Sequence, residues 1–198
     1  MKKIVKTLFI TGFSLGLVLP SAAQLQLPGN ALGHDLKKVI RDYPNQFAHL
    51  QGDVLQEKTQ VTDYELNFHI EGAESSMISK YSAKGRPVVS CEALLLTTES
   101  FEEAARKYRS VYALFNHMAV KMDNGVTFYL KGEFRKAVEE LKFNNSILEF
   151  EKADLYVSKM KVEVSLQYEF MEWKVRFRIY EREREDTERG DMIDEEEL

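Results

Sequence analysis

Val88–His117 reads VVSCEALLLTTESFEEAARKYRSVYALFNH and changes hydrophobic period half-way along. Its first part, Val88–Thr97, predicts a strand. Val89, Cys91, Ala93 and Leu95 share one face, and Leu94 and Leu96 place apolar groups on the other as well. Apolar side chains on both faces mark a central strand covered on two sides near its end. The second part predicts a helix with its own start signal. Ser100 is placed to cap the amide of Glu103, and Glu103 to reach back to the amide of Ser100. Phe101, Ala104, Ala105, Tyr108, Val111, Tyr112 and Phe115 then form one stripe, with Glu102, Glu103, Arg106, Lys107 and Arg109 elsewhere. Such a helix lies on a sheet with its charges outward.

Upstream, Leu36, Val39, Ile40, Tyr43, Phe47 and Leu50 keep helical spacing, with Asp35 placed to favour the helix start. Pro44 predicts a break, because its ring disfavours a helical Tyr43. Residues 45–50 then read as a second short turn closed by Gly52. From Tyr64 the period becomes two: Tyr64, Leu66, Phe68 and Ile70 alternate with polar residues. Gly72-Ala73-Glu74 reads as a turn, Met77–Tyr81 as the return strand, and Lys84–Pro87 as the turn into Val88.

Downstream, Asp123-Asn124-Gly125 is a strong turn signal, and Val126, Phe128 and Leu130 alternate after it. Glu133–Lys142 fits either a short helix or a loop. Asn144-Asn145-Ser146 reads as its end and Ile147–Phe150 as a short strand. Val162–Phe170 and Trp173–Ile179 alternate as two arms of a hairpin. With Met171-Glu172 as the turn, Phe170 faces Trp173, Leu166 faces Phe177, Glu169 faces Lys174 and Gln167 faces Arg176. That turn lacks the Gly or Asn of a two-residue connection, so a longer one is open too. The predicted fold class is α+β. It is a single curved antiparallel sheet with two helices packed on one face, in the order α-β-β-β-α-β-β-β-β.

The chain begins MKKIVKTLFITGFSLGLVLPSAAQ. Three lysines, an apolar run from Leu8 to Leu19 and the small residues Ser21-Ala22-Ala23 read as a signal peptide, residues 1–23, cleaved after Ala23. The run is too short for a comfortable membrane span. The expectation is therefore an exported protein, periplasmic or extracellular. Residues 24–30 read as a linker, 31–180 as a single domain and 181–198 as an acidic, disordered tail. Removing the signal takes the formal charge from −5 to about −8, most of it in the tail. The near-neutral body offers no basic footprint for nucleic acid. A single cysteine, Cys91, allows no disulfide within the chain.

No arrangement of residues specifies a reaction. Cys91 could act as a nucleophile only beside a base, for which His69 is the candidate; its apolar face favours a buried hydrophobe. His34, His49, His69 and His117 lack metal-ligand spacing, so neither a metal nor any other cofactor is expected. The paired carboxylates Glu102-Glu103 and Glu139-Glu140 read as solvated surface. Tyr108, Tyr112, Tyr168, Phe170, Trp173 and Phe177 could line a helix–sheet cleft for an apolar ligand, or fill the core. The outer sheet face, with Lys174, Arg176 and Arg178 beside Glu163, Gln167 and Glu169, is a further docking candidate. The reading is a non-enzymatic binding module for a protein or small ligand. The alternatives are a carrier or chaperone for an apolar ligand, and an enzyme of unrecognised class.

Overall fold

The computed structural model describes residues 28–82, 87–153 and 157–181. The signal-like segment, the acidic stretch 182–198 and most of the turn before Val88 lie outside them. Helix α1 spans Pro28–Asp42, so it takes in the last three residues of the expected linker. Leu32, Leu36, Val39 and Ile40 form its buried stripe. Asp35 sits within the helix rather than at its start. Its Oδ2 accepts the Glu71 amide at 2.9 Å and ties α1 to the loop beyond the second strand. Pro44 ends the helix as its ring requires, and Tyr43–Asn45 continues as one 3-10 turn. Gln46 and Phe47 follow with positive φ (57° each), and Ala48–Leu50 makes a second 3-10 turn.

The strands are β1 (Gln51–Glu57), β2 (Val61–Leu66), β3 (Ser75–Tyr81), β4 (Val88–Thr98), β5 (Ala119–Lys121), β6 (Thr127–Gly132), β7 (Phe143–Phe150), β8 (Met160–Glu169) and β9 (Glu172–Glu181). Helix α2 (Phe101–Phe115) lies between β4 and β5. The α+β class and the single antiparallel sheet are as expected, and the sheet is open. Two strands were not anticipated. β1 carries no alternation, because Val54 and Leu55 stand side by side and both are exposed. β5 is only three residues long.

The spatial order is β1-β2-β3-β4-β9-β8-β7-β6-β5. Each half runs in chain order from an edge to the centre, and the two halves meet where β4 pairs with β9. Val88–Thr98 is therefore a central strand, as expected, but its outer face carries Ser90, Glu92 and Leu94 rather than an apolar row, because Leu96 turns to the core. Cys91 lies opposite Ile179 and Ala93 opposite Phe177, both fully buried pairs. A register shift between Leu94 and Leu96 turns Leu96 toward the core opposite Val175, so that of the leucine run only Leu94 stands on the outer face, opposite Arg176.

α2 packs on β4, β8 and β9, and α1 touches α2 and β5. Ala104, Tyr108, Val111, Tyr112 and Phe115 are its buried stripe, as the spacing requires. The cap of α2 is a relay rather than a reciprocal pair. Ser100 Oγ accepts the Glu103 amide at 3.3 Å, but Glu103 Oε2 takes the Thr98 hydroxyl, and Thr98 Oγ1 accepts the Ser100 amide.

The last hairpin has the expected faces in a different register. Its turn is Phe170-Met171, so Tyr168 faces Trp173, Leu166 faces Val175 and Val164 faces Phe177. Moving the turn by one residue shifts every pair by two, which leaves the strand side chains on their expected faces but takes Phe170 out of the strand into the exposed turn. Glu169 now stands opposite Glu172 and Gln167 opposite Lys174. Glu169 still meets Lys174 on a diagonal, at 3.7 Å.

Candidate functional site

The six aromatic residues separate into three environments. Tyr108, Tyr112, Trp173 and Phe177 are buried in the core. Tyr168 stands at the rim of the helix side, its ring centre 5.0 Å from that of Trp173. Phe170 is 90 % exposed, beyond the end of the strands. The structure does not gather them into one cleft, and the reason lies in the ambiguous stretch after β6. Residues 133–138 run without regular hydrogen bonding over α2, and Phe134 stacks on both Tyr108 and Tyr112, with ring centres 5.5 and 5.0 Å apart. The chain's own phenylalanine thus lies against the tyrosines expected to face a ligand.

Side chains of strand type and turn type cooperate to hold this strap. Tyr108 Oη donates to the Arg135 carbonyl and shares a 2.6 Å bond with Ser146 Oγ, and Ser146 Oγ also accepts the Arg135 amide. Tyr112 Oη donates to the Gly132 carbonyl. Asn144 bonds both the amide and the carbonyl of Val138. Asn144, Asn145 and Ser146 therefore lie within β7 instead of ending the segment before it. Asn144 and Ser146 thereby satisfy backbone groups of the strap.

Past the strap the apolar residues turn outward. Val138, Leu141, Phe143, Phe170 and Met171 are all exposed, Leu141 at 62 % and Met171 at 75 %. β7 begins beside the end of β8, with Phe143 opposite Gln167, and the Tyr168 amide donates to the Lys142 carbonyl at 2.7 Å. These segments therefore share one end of the sheet. Single exposed apolar residues are ordinary, but several gathered at one end of a sheet make a candidate contact surface. Lys142 Nζ lies 4.6 Å above the Tyr168 ring and Lys174 Nζ 5.4 Å from the Phe170 ring.

The backbone under this patch is strained. Phe170 and Met171 have φ of 52° and 69°. A two-residue connection with both central residues at positive φ is the type I′ geometry, which favours Asn-Gly. A bulky residue there costs about 1–2 kcal/mol for its Cβ contacts. The missing Gly or Asn was the signal available in the sequence.

The outer sheet face uses its charges on itself. Arg178 donates twice to Glu92 Oε2, at 2.9 and 2.6 Å, and Arg176 Nη2 reaches Glu169 Oε2 at 2.6 Å. Tyr180 Oη donates to Glu163 at 3.0 Å. With these carboxylates already engaged, the face presents less unmatched charge than its sequence suggests.

Cys91 and His69 are not brought together. Cys91 is fully buried, and burial, with the nearby Glu92, pushes its thiol far above the ordinary range. His69 is exposed on the loop after β2. His49 is exposed and its Nδ1 lies 2.7 Å from Asp42 Oδ1; that hydrogen bond and the adjacent charge raise its pKa. Among the described residues no three His, Cys, Asp or Glu side chains form a metal-ligand group, and no helix is long and apolar enough to cross a membrane. No family model matches the chain, and neither a curated protein nor a solved structure matches it.

Proposed function

We propose that the chain is an exported, non-enzymatic binding module that engages a protein partner through the apolar end of β7, β8 and β9. The signal-like residues 1–23 support export. One observation carries the contact: Phe170 and Met171 hold a strained turn while almost wholly exposed. Two large apolar side chains there lower stability, and the core gains nothing from them. Strain of this kind collects at functional positions.

The rim chooses a protein over an anionic membrane. Val138–Phe143 and Tyr168–Lys174 carry four glutamates, Glu139, Glu140, Glu169 and Glu172, against two lysines, Lys142 and Lys174. Anionic lipid headgroups are held by basic clusters, and these two segments, with Glu169 already paired to Arg176, present none. An apolar centre within a mixed-charge rim is the anatomy of a protein interface, with Phe170 as the anchor for a pocket on the partner.

The test places p-benzoylphenylalanine at position 141 of the full chain in its own host and irradiates. A discrete protein adduct is expected, and F170N/M171G in the same chain should abolish it. An adduct that survives the tip replacement, an adduct with lipid alone, or no adduct overturns the proposal.

A further inference from the structure

At the other end of the sheet a cavity of about 410 Å³ opens between the C-terminal end of α1 and the β5–β6 turn. Pro44, Met122, Phe128 and Val157 give it apolar walls, and Met122, Phe128 and Val157 are themselves buried. Arg41, Asn45, Asp123 and Asn124 supply its polar groups. Its volume lies in the range of small-molecule sites, which pair apolar walls with a few placed polar groups.

Arg41 is held in place from the protein side. Its Nε donates to the Lys121 carbonyl on β5 at 3.0 Å, a bond that does not use its terminal nitrogens, and the residue lines the cavity. No carboxylate among the described residues lies within 4.0 Å of the guanidinium, although Asp123 lines the same space. The two asparagines divide in the same sense. Asn124 accepts the Val126 amide through Oδ1, so its amide hydrogens are left as donors. Asn45 donates through Nδ2 to Asp42, so its oxygen is left as an acceptor. The cavity therefore offers two donors, Arg41 and Asn124, and two acceptors, Asp123 and Asn45, around an apolar floor.

We infer that this cavity binds a small zwitterion with an apolar side chain, of the α-amino acid class. Arg41 forks onto the carboxylate with Asn124, Asp123 and Asn45 take the ammonium, and the side chain covers Met122, Phe128 and Val157. A simple anion would meet Asp123 and a simple cation would meet Arg41, whereas a zwitterion satisfies both. The site lies apart from the strained hairpin and does not depend on the reading of it.

Calorimetric titration of the full chain with L-leucine tests this, alongside 4-methylpentanoate, which lacks the ammonium, and 3-methylbutylamine, which lacks the carboxylate. Saturable binding of L-leucine is expected, with each analogue weaker by roughly tenfold or more, the loss of one charge-assisted contact. Because R41A also removes the bond to β5, the second variant is D123N, an exposed change. It should weaken L-leucine roughly tenfold and leave 4-methylpentanoate no weaker than before. Absence of L-leucine binding, or equal binding of L-leucine and either analogue, overturns the inference.

Discussion

Phe47 and Phe170 share a positive φ, 57° and 52°, in opposite surroundings. Phe47 is fully buried, its ring 6.0 Å from that of Tyr43, and the turn beneath it is fastened by Asp42. That carboxylate accepts from Asn45 Nδ2 and from the His49 amide, and pairs with the His49 ring. Phe170 buries almost nothing, and Lys174 is its only recorded ring contact among the described residues. The first strain is offset inside the molecule by apolar burial and hydrogen bonds. The second has no such return among the described residues, and a pocket on a partner would supply it.

Three measurements bear on that contrast. The largest effect belongs to Phe47→Ala, which removes a fully buried ring and should lower unfolding free energy by about 3–5 kcal/mol in urea denaturation. A loss below about 1 kcal/mol would show that burial does not hold that turn. Next is F170N/M171G, which should raise stability by about 2 kcal/mol, since both replacements suit the type I′ geometry. A fall instead would mean that Phe170 already contributes inside this molecule. The smallest is the pH response of the Asp42–His49 pair. The folded pKa of His49 is raised by Asp42, so the pair stabilises fully below the unfolded histidine's value and less as pH rises through the folded one. Melting temperature should fall slightly over that window. His49→Gln should flatten the fall, and an unchanged slope in that variant would assign it elsewhere.

Much of the scaffold was legible because local signals and burial agree. Pro44 stops a helix by sterics alone, and the stripe from Ala104 to Phe115 has one apolar side to bury. Val88–Thr98 announces its central place by its density of apolar residues, from Val88 to the leucine run. What was not legible depends on partners distant in sequence. Asn144 and Ser146 look like turn residues until the backbone of Val138 and Arg135 is laid beside them. The helix–sheet cleft read from Tyr108 and Tyr112 could not show that Phe134 stacks on them. The hairpin turn moved by one residue because the long pairing of β8 with β9 sets the register and the turn must accept it. Arg41 and Asp123 share no motif, so only the fold puts them around one cavity.

The meeting of β4 with β9 has a consequence for how the molecule is made. Every other pairing in the sheet joins strands that are neighbours in sequence, whereas β4 must wait for β9, the last strand among the described residues. A nascent or truncated chain ending before Glu172 therefore carries its most apolar strand as an open edge, with Cys91, Ala93 and Leu95 beside unpaired backbone groups. Such an edge is a template for pairing with other chains. The final ten-residue strand, Glu172–Glu181, is the piece that closes it.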